Sequence, residues 1–598
     1  MRITTVRVIS QTFFFVLFAV LIGRCTLITI DHRPLLRDHL STFLEIDPLI
    51  ALSTAVTTHT IYRGLVWSLA VLVGTLLIGR VFCGWVCPFG AMHHLTGWLF
   101  DWRKTKQRID ANRYRRIYQL KYYLLIGMAV AMIGTLQIGL LDPICTVHRS
   151  VTVSVLPALN HNPLAVRWFG DPRIHELGWV IGAILLTLIV MNPHVYRFFC
   201  RVLCPLGALL GLLSRFALWR IERDRHRCVD CGLCRAHCEG ACDPDTQIRA
   251  AECLVCFNCL EDCPHQAVRF RFLPSRRHEV TGPDLSRRGV LTAAVAGAGT
   301  LSWMRLDGSS TRNFRATVIR PPGAVEELEF LKRCVKCGQC IRVCPTNVLQ
   351  PDWMRSGLEG LWTPVMNYRI GYCEPNCTAC GQVCPTGAIQ RLTIDRKRGQ
   401  GTYADAGPVR MGSAHFDVGR CLPWAKNMPC LVCEENCPVS PKAIYTERRL
   451  QVLRDGKKQV ASATENTATL CEWPGGPGDS PQACRLEPGS LAPKTDQSFH
   501  ISLRRPDGTF ETHPIRSNTA DTVSIDGRFA LRPQAGTMAL LMTELGLPKV
   551  DVGRCTGCGV CEYKCVVAGD QRAVYVMAVG ETRSQGYPEE HRNRSLRL

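Results

Sequence analysis

Cysteine is the residue best able to do chemistry in this chain, with 33 thiols in 598 residues, and its spacing says which chemistry. A cubane [4Fe–4S] cluster takes four thiolates. Three of them can come from one tight C-x2-C-x2-C loop that wraps a single cluster face. In two-cluster ferredoxins the fourth, three residues on and often before proline, reaches the other cluster. Zinc sites use separated CxxC pairs instead. Disulfide scaffolds belong to short secreted chains. No CxxCH occurs, which excludes c-type haem attachment.

Six motifs of this kind run along the chain. Cys228, Cys231, Cys234 and Cys238 form the first, and Cys253, Cys256, Cys259 and Cys263-Pro264 the second. Crossover assigns one cluster to Cys228, Cys231, Cys234 and Cys263. The other takes Cys253, Cys256, Cys259 and a thiol of the first motif. Cys238 has the right spacing and is the expected ligand, although no proline follows it and Cys242, four residues later, is the alternative. Cys334, Cys337, Cys340 and Cys344-Pro345 are regular. Cys373, Cys377, Cys380 and Cys384-Pro385 lengthen the first gap by one residue, and Cys421, Cys430, Cys433 and Cys437-Pro438 insert a longer loop. Cys555, Cys558, Cys561 and Cys565 are regular but lack the proline. Nine cysteines remain: Cys25, Cys83, Cys87, Cys145, Cys200, Cys204, Cys242, Cys471 and Cys484.

Four of those nine sit in an internal repeat, FCGWVCPFGA (82–91) and FCRVLCPLGA (199–208). Each copy presents two thiols one helical turn apart, before a proline that ends or bends the helix. Cys83, Cys87, Cys200 and Cys204 are therefore candidate redox or metal thiols, against the plainer reading of packing cysteines in a duplicated helix end.

The elements that position these thiols begin with four apolar stretches, roughly Val8–Ile30, Leu65–Val86, Tyr122–Leu141 and Leu177–Val195. Each approaches the ~20 residues a bilayer-spanning helix needs. Lys and Arg crowd the segments 102–121 and 197–227 and precede the first stretch at Arg2 and Arg7, while the other loops hold few. The positive-inside rule then places the N-terminus and the segment from residue 197 in the cytoplasm. The net charge of +21 is accounted for by that topology, so nucleic acid is not expected as a partner.

Between the second and third motifs, Ser286-Arg287-Arg288-Gly289-Val290-Leu291 precedes a mild apolar run to Met304, which reads as a twin-arginine export signal placed mid-chain. That route carries folded cargo, as a cluster domain assembled in the cytoplasm requires. Residues from about 305 are then periplasmic, where Cys471 and Cys484 could form a disulfide. Residues 445–550 carry strand-like alternation around a Pro-Asp-Gly turn and read as an insertion without recognisable chemistry. The expected organisation is a four-span membrane domain (1–220), a cytoplasmic two-cluster ferredoxin (221–275), an anchor helix (284–305) and a periplasmic four-cluster domain (306–598). The fold class is a membrane α-helical bundle, four spans plus the twin-arginine-type helix, carrying α+β ferredoxin-like domains.

Residues 1–275, with four spans, two C-x3-C-P motifs and a ferredoxin, resemble NapH, a membrane component of the periplasmic nitrate reductase system. Residues 284–598, an export signal followed by four motifs, resemble NapG and MauM. The resemblance implies six [4Fe–4S] clusters in a bacterial inner-membrane protein that oxidises quinol. It implies electrons passed to a periplasmic oxidoreductase or cytochrome. Arg24 in the first span and His148 near the outer face are the candidate quinol-site residues, an intramembrane charge being a functional expectation; Arg24 could equally snorkel to the interface. The MauM resemblance also admits an assembly factor for a periplasmic redox enzyme. A third arrangement keeps every motif on the cytoplasmic side. Similarity to the four-cluster subunits of molybdenum oxidoreductases further implies nested pairing. Cys565 would then join Cys334, Cys337 and Cys340, and Cys344 would join Cys555, Cys558 and Cys561. Cys437 would join Cys373, Cys377 and Cys380, and Cys384 would join Cys421, Cys430 and Cys433.

Overall fold

The apolar stretches fold as helices, but mostly as short ones. The computed structural model describes residues 2–31, 41–100, 102–132, 134–161, 173–274, 279–280, 282–304, 316–474, 482–569, 571–585 and 595–597. Among them, one helix is long and apolar enough to cross a membrane, over Ile3–Gly23 of α1 (Ile3–Asp31). This differs from the four continuous spans expected. The second stretch breaks where Gly79 adopts φ 94° after α2 (Ser68–Ile78). The third ends early, as α3 (Leu120–Ala131), and the fourth, α5 (Gly178–Val190), stops shortly before Asn192-Pro193. Between them α4 (Pro143–Ser150) is capped by Asp142, whose carboxylate accepts from the Ile144 and Cys145 backbone N–H groups.

Each repeat copy winds as a π-turn, Phe82–Val86 and Phe199–Leu203, closed by 2.9 Å bonds from Cys87 N to Phe82 O and from Cys204 N to Phe199 O. Pro88 and Pro205 force the preceding cysteine into extended geometry and open new helices, Pro88–Phe100 and Pro205–Ser214. The outer faces of the helices stay apolar and uncovered: Leu69, Val73, Leu186 (62% exposed), Val190 and Leu291 stand open.

The twin-arginine segment forms α6 (Arg287–Met304), N-capped by Ser286, whose hydroxyl accepts from Gly289 N at 3.0 Å. It lies along α3 through small residues. Gly289 faces the Tyr123 ring, and a Cβ on Gly297 would stand 2.2 Å from the Gly127 carbonyl oxygen. Ala293-x-x-x-Gly297 against Gly127 is the small-residue packing that lets helix backbones approach closely. Because Gly289 meets Tyr123 and Gly297 meets Gly127, the two helices run in the same direction.

Two compact units emerge, residues 1–411 with 581–598, and residues 412–580. The first therefore holds four of the six motifs and the second holds two. Within the second unit, β1 (Ser413–Phe416) pairs antiparallel with β8 (Val574–Met577), bracketing both motifs. The expected insertion is a closed six-stranded barrel threaded between them. It comprises β2 (Ile444–Ala463), β3 (Thr467–Glu472), β4 (Ser498–Arg504), β5 (Phe510–Asn518), β6 (Thr522–Ile525) and β7 (Met538–Val550). Strict in–out alternation along β7 points Ala539, Leu541, Leu545 and Leu547 inward, the period-2 pattern of a half-buried strand. The Pro506-Asp507-Gly508 turn joins β4 to β5 as its sequence predicts, with Gly508 at φ 85°. Cys471 stands opposite Ala483 across a strand bridge, and Cys471 and Cys484 are free thiols.

A buried charge cluster ties the first unit together. Glu327 lies between Arg320 at 2.6 Å and Arg583 at 2.5 Å. Burial pushes its carboxyl up, but the two guanidinium groups overcome this and hold it at about 2, against an ordinary 4.5. Being depressed in the fold, it contributes stability that is complete above about 4.5 and disappears as pH falls through about 2. Glu327→Gln leaves the buried Arg320 without its ion-pair partner, while Arg583 keeps Glu581 at 2.5 Å, and should cost about 3 kcal/mol at neutral pH. Hydrogen exchange of segment 320–333 should then rise about a hundredfold; unchanged exchange would mean the cluster is energetically idle.

Candidate iron–sulfur centres

The regular motifs share one backbone device. The residues on both sides of the second cysteine take left-handed φ: Asp230 and Gly232, Val255 and Phe257, Lys336 and Gly338, Gly557 and Gly559. That pair of turns wraps the chain so that backbone N–H groups face the sulfurs. Lys336 N–H points to Cys334 Sγ, Gln339 N–H to Cys337 Sγ and Val255 N–H to Cys253 Sγ. Donors aimed at sulfur favour thiolate over thiol and set cluster potential. Val255 is β-branched, so its φ of 49° is strained backbone of the kind that gathers at functional sites.

Each motif's fourth cysteine joins its neighbouring motif. One void is lined by Cys334, Cys337, Cys340 and Cys384 with Pro385; another, in the second unit, by Cys437 with Pro438, Cys555, Cys558 and Cys561. Cys344 is the outside thiol facing Cys373, Cys377 and Cys380, and Cys565 is the one facing Cys421 and Cys433. The nested pairing is thus overturned: the third motif pairs with the fourth and the fifth with the sixth. The reason lies in the brackets. The strand pair β1–β8 and the bridge Ala324↔Ile389 each close around two consecutive motifs, as does the antiparallel pair Trp219–Arg223 with Val268–Phe272.

In the first pair, Cys263 joins Cys228 and Cys234, as crossover predicts. Cys238, the expected ligand, and its alternative Cys242 both reach the second motif. Cys238 is the first-motif thiol nearest both Cys256 and Cys259. Its Sγ accepts a backbone N–H four residues on at 3.4 Å, as Cys263 Sγ does from Ala267 N at 3.3 Å. Cys242 lies beside it, Sγ to Sγ 3.5 Å, and also meets the Cys253 thiol.

Several charged residues missed as site residues hold these loops. Lys397 donates to Cys373 Sγ at 3.2 Å and to the Glu374 and Cys377 carbonyls. The lengthened fourth motif lacks the paired left-handed turns and has a lysine at the sulfur. Arg7, Arg197 and Arg201, read from sequence as topology signals, converge on the Cys238–Glu239 turn. Arg197 pairs with Glu239 at 2.6 Å and Arg7 at 2.7 Å, while Arg201 donates to the carbonyls of Cys238 and Glu239. Burial acts to raise the Glu239 carboxyl, and Arg197 with Arg7 outweigh it, leaving it at about 2.

The candidate quinol residues have other surroundings. Arg24's side chain lies outside the described residues. His148 is buried, its ring edge-on to Phe18, with Nδ1 2.9 Å from the Cys337 carbonyl oxygen. Beside it, Arg149 donates to the carbonyls of Gly139 (3.1 Å) and Lys336 (2.9 Å) and lies over the Trp362 ring. These two residues of α4 clamp the Cys334–Cys340 loop. Arg149→Ala strips donors from buried carbonyls and should cost about 3 kcal/mol. Limited proteolysis should then open the loop near Lys336; resistance equal to the parent would show that the clamp is dispensable.

Helix α1 serves as a ruler. Arg7 donates to the Cys256 carbonyl, Ser10 and Gln11 to those of Trp85 and Gly84, and Phe18 meets His148. At 1.5 Å per residue, about 17 Å separates the level of the Cys256 loop from that of the Cys337 clamp.

Thiol loops with inward N–H groups, bracketed in twos by short strands, define a ferredoxin-type iron–sulfur protein. Residues 60–109, 177–223 and 380–402 match the family described as 4Fe-4S binding domain, and residues 333–388 the 4Fe-4S dicluster domain. The chain is 33% identical over 193 residues to the methylamine utilization ferredoxin-type protein MauM of Methylorubrum extorquens, covering 31% of this chain and 81% of that one. It is 34% identical over 172 residues to the ferredoxin-type protein NapG of Escherichia coli, 28% of this chain and 68% of that one. With YccM of Escherichia coli, named as a candidate electron transport protein, it shares 27% over 197 residues, 33% of this chain and 52% of that one. The chain belongs to the ferredoxin-type 4Fe–4S electron-transfer family. No solved structure matches it. The dicluster match covers the third and fourth motifs together, in agreement with their pairing.

Proposed function

We propose that this chain is a membrane-embedded electron carrier that oxidises quinol and delivers single electrons, through six [4Fe–4S] clusters, to a periplasmic redox partner. Twenty-four thiols, in the sets described above with Cys238 as the crossover ligand, hold the clusters. The clusters supply the redox chemistry; the chain supplies their spacing, the N–H groups at sulfur and the charges that set potential. The observation that carries this reading is a helical layer with apolar outer faces and a cluster loop docked at two levels of one helix. Exposed apolar surface on that scale suits lipid. The direction of α6 supports the crossing as well. It runs alongside α3 away from the basic loop 102–121, and its 18 residues span about 27 Å, near the thickness of a hydrocarbon core. Short helices in the layer fit a membrane domain whose outer cluster module is partly sunk into it.

The test is reduction of the clusters in anaerobic membranes by a short-chain quinol. Bleaching of the thiolate-to-iron absorption at rates similar to dithionite is expected. Clusters that dithionite reduces and quinol leaves oxidised would overturn quinol oxidation and favour the maturation role.

A further inference from the structure

The C-x3-C-P repeat is more extensive than its cysteines. Arg80 and Arg197 precede Cys83 and Cys200 by the same three residues, so the repeat reads R-x-F-C-x3-C-P-x-G-A in both copies. In the fold the copies meet. Cys83, Cys87, Cys200 and Cys204 all lie within electrostatic reach of one another, and Cys83, Cys87 and Cys204 are buried. Each second cysteine accepts the backbone N–H of its own repeat's glycine, Cys87 from Gly90 and Cys204 from Gly207, the latter at 3.2 Å. Both sit where a helix begins.

The arginines cross over. Arg197 donates to the Cys83 carbonyl at 3.2 Å and lies against Gly90, while Arg80 lies against Gly207 beside Cys204. A Cβ at Gly207 would stand 2.8 Å from the Arg80 guanidinium, and one at Gly90 would stand 2.5 Å from the Cys83 carbonyl oxygen. Packing cysteines need neither donors at sulfur nor two fully buried cations. Four thiolates around an iron–sulfur core carry a net negative charge, which these cations offset.

We propose that Cys83, Cys87, Cys200 and Cys204 together ligate a further iron–sulfur cluster, seated between the two ferredoxin modules of the first unit. It extends the electron-transfer reading above and rests on it only for its role as a relay. Its place on the α1 ruler is intermediate: the Gly84–Trp85 contact lies about 6 Å along the helix from the Cys256 level and about 11 Å from His148. The arginines also reach the first ferredoxin, Arg197 through Glu239 and Arg80 through the Ala251 carbonyl at 2.9 Å. As a relay it accepts one electron from a reduced cluster on one side and passes one on, with no bond made or broken.

Iron, acid-labile sulfide and Mössbauer analysis of the anaerobically purified full chain test this. Two or four irons per chain are expected beyond those held by the 24 ferredoxin-motif thiols, two for a [2Fe–2S] and four for a [4Fe–4S] core. Cys83→Ser with Cys200→Ser should remove just that increment while the 24 motif thiols stay protected from alkylation. Should that variant fail to accumulate, the parent protein's iron count decides alone. No excess iron, zinc in its place, or recovery of these four cysteines as disulfides would overturn the proposal. Excess iron with no reduction by quinol would leave the site standing and remove only the quinol reading.

Discussion

Replacing Cys384 with alanine should unmask Cys334, Cys337 and Cys340 to alkylation and leave Cys421, Cys430 and Cys433 protected. Cys384 is the fourth thiol lining the void of the third motif. A cubane that loses one of four thiolates in this loop loses the ligand that closes it against the neighbouring motif. The three remaining thiols should then react nearly completely under anaerobic labelling, and iron should fall by one cluster per chain. Nested pairing makes the opposite forecast, with label at Cys421, Cys430 and Cys433. Mass spectrometry of the labelled peptides separates the two outcomes, because the sets lie on different tryptic fragments.

Lys397→Met should lower the midpoint potential of the cluster bounded by Cys373, Cys377, Cys380 and Cys344 by on the order of 100 mV. The ammonium group touches Cys373 Sγ, so it stabilises the more negative, reduced cluster. A unit charge about 5 Å away, at an effective dielectric near 20, is worth roughly 3 kcal/mol. About 59 mV corresponds to ~1.4 kcal/mol for one electron. Loss of the hydrogen bond to sulfur acts in the same direction. A potentiometric EPR titration reads the shift, and Lys397→Arg should restore most of it. An unmoved potential in Lys397→Met would show that this cation does not tune the cluster.

Spacing alone made the thiol loops legible, because a C-x2-C-x2-C loop has few other uses. The Pro-Asp-Gly turn and the alternation in β4–β7 announced strands, though not barrel closure, which depends on long-range pairing of β2 with β7 and of β3 with β6. Motif pairing was not legible. Which fourth cysteine crosses to which loop follows from strand brackets such as β1–β8, whose partners lie some 160 residues apart. Hydropathy found the apolar stretches but overstated their length, since Gly79 and the π-turn at Phe82–Val86 interrupt the second, and the helices of the third and fourth stop at Ala131 and Val190. Charge was misread in part. Arg7, Arg197 and Lys121 looked like topology signals, yet all three are buried in ion pairs with Glu239 or Glu252. Periodicity carries no trace of such pairing. The repeated arginine at Arg80 and Arg197 was the one visible clue.

The central claim is that the chain presents cluster modules to both sides of a membrane, with α6 carrying it across. A reporter enzyme active only in the periplasm, fused in turn after Val280 and after Leu598 of the full chain, tests this directly. The account predicts silence at Val280 and activity at Leu598. Equal silence at both positions would contradict it and place every cluster motif on the cytoplasmic face.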